Sequence, residues 1–178
     1  MAVLVEAISV IVRADAIRDR YPGGWPAFEK SVSNETLCCD NELVRVGFMH
    51  PNDCKSFVDG LGRVGMVYLN DGSSQDIVVA DQMQGFTTPC DWAEFGRIEM
   101  KPDQPVSAAE LKGTTCKRIF CPDGWTYKKS LSSSFGFVPT LAQDKSLRFL
   151  RQKNGLDVYL NLLTGKEVYI GRTDPESR

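Results

Sequence analysis

The 178-residue sequence predicts an α+β protein. We expect a ferredoxin-like βαββαβ antiparallel sheet with its helices on one face, and a mostly-β C-terminal segment covering the other face. Through residue 69 the elements follow the order strand, helix, strand, strand, helix, strand. The strands at 3–12, 64–69 and 76–81 are also apolar on both faces, which is typical of strands covered on both sides. The C-terminal part of the chain or a second copy of the protein is therefore expected to cover the face away from the helices.

The first elements are a strand and two short helices. The apolar run 3–12 predicts a single strand in the middle of the sheet. A helix over 14–21 is expected to end at Pro22-Gly23-Gly24, which combines a helix breaker with two flexible residues. The stretch WPAFEKSV then predicts a further turn or two of helix, with Pro26 at a first-turn position.

A hairpin and an amphipathic helix follow. Strands are predicted at 35–39 and 42–49, joined by a tight turn at Asp40-Asn41, because both residue types tolerate positive φ. After Pro51, four apolar residues fall at the i, i+3, i+4, i+7 spacing of an amphipathic helix, and Gly62 stands where a C-terminal cap favours glycine. The four residues are Cys54, Phe57, Val58 and Leu61.

A boundary is predicted at residues 101–105, KPDQP, where two prolines and two charges occur within five residues. It divides the chain into a ferredoxin-like domain, 1–100, and a mostly-β C-terminal segment or small domain, 101–178. Just beyond the boundary, Ser107 and Glu110 have the spacing of a capping box, which predicts a short helix ending before Gly113. Further on, RIF and WTYK are predicted strands around a CPDG turn, and a serine-rich loop follows.

A β-meander is predicted over 147–172. Asn154-Gly155 is the strongest hairpin signal in the chain, and pairing across it sets Phe149 opposite Leu160. A three-residue loop at 164–166 then sets Ile170 beside Leu160. The meander therefore has one apolar face that needs a partner layer.

The charge pattern excludes several classes of partner. The net charge of −2 arises from interspersed acidic and basic residues, which predicts neither a nucleic-acid nor a membrane partner. The first twelve residues lack a basic start and contain Glu6, so they predict a strand rather than a signal peptide. No run approaches the ~20 apolar residues of a membrane span, and the expected location is the cytoplasm, with reduced cysteines and no cofactor.

Two groups of cysteines raise the question of a metal site, and the predicted geometry argues against both. Around the tight turn, the two cysteines of the first strand point to opposite faces, the histidine lies at the far end of the second strand, and the last cysteine belongs to the apolar stripe of the helix. A C-x4-C pair in the C-terminal part has no second pair to complete four ligands. The residues concerned are Cys38, Cys39, His50, Cys54, Cys116 and Cys121.

The segment 81–92 is the predicted binding site. Polar groups and an aromatic side chain follow a buried strand there, a pattern typical of binding loops on rigid scaffolds. Trp25, beside a Gly-Gly loop, joins the prediction because it is expected either to pack over the same region or to anchor the first helix. An equally open interpretation is that these polar side chains cap backbone ends. The predicted binding residues are Asp81, Gln82, Thr87, Thr88, Cys90, Asp91, Trp92 and Trp25.

Three stretches also carry a resemblance. GGWPAF, TLCCDNELVRVGFMHPND and DQMQGFTTPCDWAEFGR, within roughly residues 22–97, resemble an uncharacterised bacterial protein family that has no established activity. The resemblance implies that residues 1–100 form one unit. It assigns no catalytic or binding residue, and residues 101–178 fall outside it.

Three functions follow as hypotheses. The first is a non-catalytic binding or regulatory module whose ligand is a small molecule or a protein. The second is a small enzyme that uses Cys90, or the carboxylates Asp81 and Asp91. The third is a structural homodimer whose sheets meet face to face.

Overall fold

The computed structural model describes residues 1–115, 118–134, 147–153, 156–161 and 167–171, and shows a mixed α/β chain that is mostly β. In chain order its elements are β1 (Ala2–Val5), β2 (Ile8–Arg13), α1 (Ala14–Arg20), α2 (Gly24–Ser31), β3 (Cys38–Cys39), β4 (Leu43–Phe48), α3 (Pro51–Arg63), β5 (Leu69–Asn70), β6 (Ser73–Ser74), β7 (Ile77–Asp81), β8 (Gly85–Phe86), β9 (Ala93–Glu99), β10 (Pro105–Leu111), β11 (Ile119–Phe120), a 3-10 turn (Tyr127–Lys129), α4 (Leu131–Ser134), β12 (Leu147–Lys153), β13 (Leu156–Asn161) and β14 (Glu167–Gly171).

The largest sheet has five antiparallel strands in the order β3-β4-β2-β7-β8. Because successive side chains of a strand point to opposite faces, Val10, Val12, Val44 and Val46 lie on one face. The buried side chains of α1, α2 and α3 join them in one apolar core. Phe28 of α2 is fully buried in that core.

A second sheet covers the opposite face. Its order is β11-β1-β10-β9, so its two central strands, β1 and β10, are far apart in the sequence. Val3 and Val5 of β1 and Ala109 of β10 pack against Ile11 and Val78 of the five-stranded sheet. The chain itself therefore supplies a covering layer, and the C-terminal part contributes β10 to it.

The predicted single strand 3–12 is wrong, because it is two strands in different sheets. The chain turns at Glu6 and Ala7, and Ala7 adopts φ 49°. Ser9 holds the turn: its Oγ accepts a hydrogen bond from the Glu6 N–H and donates one to the Glu6 carbonyl. Continuous hydrophobicity does not reveal such a turn, since both strands are buried on both faces.

The predicted turn at Asp40-Asn41 lies one residue further along. Cys39 pairs with Val44, and the Asp40 N–H donates to the Leu43 carbonyl, so residues 41 and 42 are the central pair. Asp40 occupies the first position of the turn because its carboxylate accepts the N–H groups of residues 42 and 43. Strand β3 is correspondingly shorter than the predicted 35–39.

Helix α3 extends beyond its predicted end, and this removes the predicted strand 64–69. Gly62 lies inside the helix, whereas Gly65 adopts φ 100° beyond its end. The N–H of Met66 donates to the Leu61 carbonyl and that of Gly65 to Gly62, which is the Schellman pattern. The strand that follows α3 in the five-stranded sheet is β7, within the predicted 76–81, while β5 and β6 form a separate hairpin.

The predicted helix after residue 106 is a strand. Ser107 and Glu110 lie in β10, which pairs with β1 on one side and β9 on the other, so long-range pairing overrides the local capping signal. The residues between β9 and β10 connect the two strands of one hairpin, and the division into 1–100 and 101–178 stays a prediction.

Two further predictions in the C-terminal part are wrong. The stretch WTYK contains a 3-10 turn instead of a strand, and the serine run contains the short helix α4 instead of a loop.

The meander is present as β12-β13-β14, with a different register. Close to the hairpin connection, Lys153 pairs with Leu156, but an irregularity between Phe149 and Arg151 shifts the rest, so Phe149 pairs with Tyr159 instead of Leu160. Leu160 pairs with Glu167, whereas Ile170 was expected beside it. The turn at 154–155 and the loop at 164–166 lie outside the described residues.

Candidate functional site

The predicted site residues separate into two groups, because β8 reverses the chain direction next to β7. Asp81, the last residue of β7, pairs with Ile8, and Gln82 follows it. Thr88, Cys90 and Trp92 lie toward the other end, where all three are in contact with Ser74 or its neighbours. The segment 81–92 therefore does not form one compact cluster of polar groups.

At the end of β7 that pairs with Ile8, the side chains of Asp81 and Gln82 form hydrogen bonds with backbone N–H groups of neighbouring segments. One carboxylate oxygen of Asp81 accepts the N–H groups of Met83 and Gln84, and burial raises the pKa of this carboxyl despite those two bonds. The Gln82 side chain, 1% exposed, accepts the N–H of Ala7 at 2.8 Å. Its Nε2 has no partner within the described part of the chain.

The second group is tied to Ser74. Thr88 shares a 2.8 Å hydrogen bond with the Ser74 hydroxyl, and the Trp92 indole donates to the Ser74 carbonyl at 3.0 Å. Arg13 lies over the Trp92 ring at 5.9 Å, a cation–π distance. Thr87 bonds the carbonyl of Val79 through its N–H and its hydroxyl. These contacts are those of a loop fastened to a sheet.

Cys90, Asp91 and Trp25 take three different positions. Cys90 is half-buried, and burial is the main cause that raises the pKa of its thiol. Asp91 is exposed. Trp25 stacks on Phe28 at 5.8 Å in the helix-side core, whereas Trp92 packs in the layer between the sheets. Trp25 is thus separated from the other predicted residues by the five-stranded sheet.

A buried arginine marks another site at the first end. Arg45 of β4 is 3% exposed and faces the second sheet. Its Nε donates to the Ser9 hydroxyl at 2.9 Å, one Nη to the Glu6 carbonyl at 2.8 Å and the other Nη to the Thr36 carbonyl at 3.2 Å. Burial is the main cause that lowers the pKa of this guanidinium. Since a guanidinium has five N–H donors, two remain without a partner among the described residues.

Gly47 makes room for this side chain. It lies two residues beyond Arg45 on the same face of β4, and a Cβ at this position would collide with an Arg45 Nη. Any larger residue therefore displaces the guanidinium. The pattern Arg-x-Gly in this strand is a steric requirement of the buried charge.

Glu6 fastens the segment that forms the opposite wall. Its carboxylate accepts the N–H and the hydroxyl of Ser132, at 2.9 and 2.6 Å, and the Trp125 indole N–H at 3.1 Å. Glu6 is itself 8% exposed. These bonds connect residues more than one hundred positions apart in the sequence. They hold Trp125 and helix α4 against the turn between β1 and β2.

The two walls enclose a groove of about 250 Å³. Its inner part contains Arg45 and Glu6, its sides are largely apolar or aromatic, and its rim carries the exposed carboxylates of Glu35 and Asp123. We call it the Arg45 groove. Its lining residues are Glu6, Ala7, Glu35, Thr36, Arg45, Gly47, Phe48, Met49, Pro122, Asp123, Gly124, Trp125 and Leu131.

The sequence does indicate this site, through charged residues within strands that are covered on both faces, but the alternation of apolar residues alone does not reveal it. Arg45 stands between Val44 and Val46, and local alternation places it on the face of β4 opposite to the two valines. A strand covered on both faces has no outward side, so a charge within it must be buried and hydrogen-bonded. Glu6, in an equally apolar run, carries the same signal.

The thiols and the histidine have structural surroundings. Burial raises the pKa of Cys38 to about 11 and is the main cause that raises the pKa of Cys121 to about 12. The His50 ring accepts the N–H of Asn52 and caps α3. Within the described residues, no three His, Cys, Asp or Glu side chains are arranged to hold a metal ion.

Comparison with protein-family models, with curated proteins and with solved structures gives no match for this chain. In the part that the structure describes, no helix has the length and apolar character needed to cross a membrane.

Proposed function

We propose that the protein is a non-catalytic binding module and that a small molecule occupies the Arg45 groove. The observation that carries this proposal is the guanidinium of Arg45, which lines the groove and has two N–H donors without a partner among the described residues. A buried donor that lacks an acceptor costs about 1–3 kcal/mol. A ligand with a carbonyl or carboxylate oxygen would offset that cost.

The surroundings of Arg45 favour binding because they fix its orientation. Three hydrogen bonds, to Ser9, Thr36 and Glu6, hold the guanidinium before any ligand arrives. A side chain that is already oriented loses little conformational entropy on binding. All three partners lie in or next to the two sheets, which are rigid supports for a site.

A thermal-shift screen of small metabolites tests this proposal. A ligand at ~100 times its dissociation constant adds about 2.7 kcal/mol of stability, a shift that such a screen detects. We expect a hit to lose its effect in Leu131→Trp, which fills the groove, and to weaken in Arg45→Lys, which keeps the charge but loses the fork of donors.

A matched control for the groove variant is Leu69→Trp, since Leu69 is exposed at a distant hairpin. The proposal is abandoned if hits shift the wild type and Leu131→Trp equally, because the ligand then binds elsewhere.

The enzyme alternative receives less support. Cys90 has a thiol whose pKa is raised, so little thiolate is present near neutral pH, and Asp81 is already engaged with backbone N–H groups. Rapid labelling of Cys90 by a thiol reagent at neutral pH, with Cys38 and Cys54 unlabelled, would restore this hypothesis.

Three further points of the proposal concern the fold, the cellular location and the oligomeric state. The antiparallel order β3-β4-β2-β7, with helices on one face, supports a ferredoxin-like arrangement of residues 8–81. The free thiols of the described cysteines support the cytoplasm as the location. A homodimer through sheet faces has less support, because helices cover one face of the five-stranded sheet and the second sheet packs on the other.

A further inference from the structure

We infer, on the basis of the proposed function, that the Arg45 groove takes a linear zwitterion: a small molecule with a carboxylate at one end, an apolar middle and an ammonium group at the other end. The carboxylate would meet the free N–H donors of Arg45. The ammonium group would lie near Glu35 and Asp123 at the rim.

The inner end of the groove selects an acceptor without attracting a bare anion. Among the described residues that line the groove, Arg45 is the one cation, and the Glu6 carboxylate beside it offsets its charge. Ser132 and Trp125 already fill three acceptor positions of the Glu6 carboxylate, so it has little capacity left for a ligand. Arg45 therefore supplies directed hydrogen bonds, while Glu6 removes most of the long-range pull on anions.

The rim of the groove selects a cation. Glu35 and Asp123 are exposed, and neither forms a hydrogen bond or ion pair with another described residue. With Glu6 and Arg45 offsetting each other, these two carboxylates leave the lining net negative. A simple carboxylate would be repelled on entry, whereas an ammonium group at its far end would be attracted.

The walls and the volume set the middle of the ligand. Phe48, Trp125 and Leu131 lie along the groove and suit a chain of methylene groups. About 250 Å³ is smaller than the ~300–1,000 Å³ of sites for drug-sized ligands. An ω-amino carboxylate of a few carbons satisfies both limits, whereas a nucleotide exceeds the volume.

Four probes of similar size test the contribution of each charged group of the ligand to binding. Calorimetric titration with 6-aminohexanoate, hexanoate, hexylamine and leucine should give the tightest binding for 6-aminohexanoate. Hexanoate lacks the ammonium group, hexylamine lacks the carboxylate, and leucine carries both charges at one end. A shift of the Trp125 indole N–H resonance on addition of 6-aminohexanoate would locate it in the groove.

Rim variants test the inference without disturbing the buried layer. We expect the double variant Glu35→Gln, Asp123→Asn to weaken 6-aminohexanoate binding roughly two- to thirtyfold, as for the loss of two exposed ion pairs, and to leave hexanoate unweakened. Glu94→Gln, an exposed charge on β9, is the matched control and should leave both unchanged.

Two outcomes overturn the inference. One is hexanoate or leucine binding as tightly as 6-aminohexanoate; the other is no binding of 6-aminohexanoate. If the metabolite screen still yields a ligand that Leu131→Trp abolishes, the proposed function stands and only the zwitterion is wrong. If no ligand depends on the groove, both are wrong.

Discussion

The two sides of the five-stranded sheet are built differently. On the helix side, Phe28 is fully buried among aromatic neighbours, with Trp25 stacked on it and Tyr21 meeting it edge-on. On the side of the second sheet, the layer is apolar in its middle but contains buried Ser9 and Arg45 at one end. One side is an apolar core, and the other combines such a core with a polar end.

This difference separates stability from site geometry. Apolar contacts are non-directional, so the helix side contributes stability without fixing any single donor or acceptor. Buried polar groups must meet specific partners, so the Ser9–Arg45 end fixes positions within the narrow limits of hydrogen bonds. A binding function is therefore more reasonably sought at the polar end than beneath the helices.

The largest effect is expected on the helix side. Phe28→Ala removes a fully buried aromatic ring and should lower the free energy of unfolding by about 3–5 kcal/mol. Urea denaturation measures this loss. Phe28→Leu, which keeps most of the apolar volume, should cost clearly less, and equal losses for both variants would contradict an effect of cavity formation.

On the polar side, Gly47→Ala should cost about 1–3 kcal/mol through overpacking, because the new methyl group meets the Arg45 guanidinium. In an Arg45→Met background the same change should cost much less, since the rigid charged group is gone. A double-mutant cycle in urea measures this coupling.

Gly96→Ala serves as the control for that cycle, because a Cβ there meets nothing within 4 Å. If Gly47→Ala costs no more than Gly96→Ala, the close approach of Gly47 and Arg45 has no energetic meaning.

Glu6→Gln tests how the wall of the groove is held. The amide keeps one acceptor for Ser132 but turns its NH₂ group toward the Trp125 indole N–H, so two donors face each other. We expect a loss of about 1–2 kcal/mol, and faster amide hydrogen exchange of Ser132 without a matching change in β4. Uniformly faster exchange would argue that Glu6 stabilises the whole fold instead.

The smallest effect concerns pH. Burial raises the pKa of Asp81 above 3.8, so the folded state retains its proton to higher pH than the unfolded state. Stability should therefore fall as the pH rises from 3.8 through the folded pKa. Asp81→Asn keeps an acceptor for both backbone N–H groups and lacks this fall.

Urea midpoints at about pH 3 and about pH 7 measure this difference. Relative to the wild type, Asp81→Asn should have a higher urea midpoint at the higher pH than at the lower pH. Asp91→Asn, at an exposed neighbouring position, should show no such difference. The interpretation fails if both variants respond alike.

The sequence by itself determined two of the local elements and one property of the sheet. The i, i+3, i+4, i+7 stripe with Cys54 and Leu61 identified α3, alternation identified β4, and double-sided hydrophobicity indicated that both faces of the sheet are covered. These features depend on the periods of helix and strand, which the order of nearby residues sets. The prediction of a binding loop over 81–92 stays a prediction, and strand β8 lies within that segment.

Only the tertiary structure decided which strand pairs with which, and therefore where charge is buried. The split of 3–12 into β1 and β2, the strand at Ser107, and the approach of Glu6 to Trp125 all depend on partners far away in sequence. Arg45 looks like a surface residue in its own strand and becomes buried because a second sheet covers it. Local periodicity specifies the faces of an element, while long-range packing specifies what lies against them.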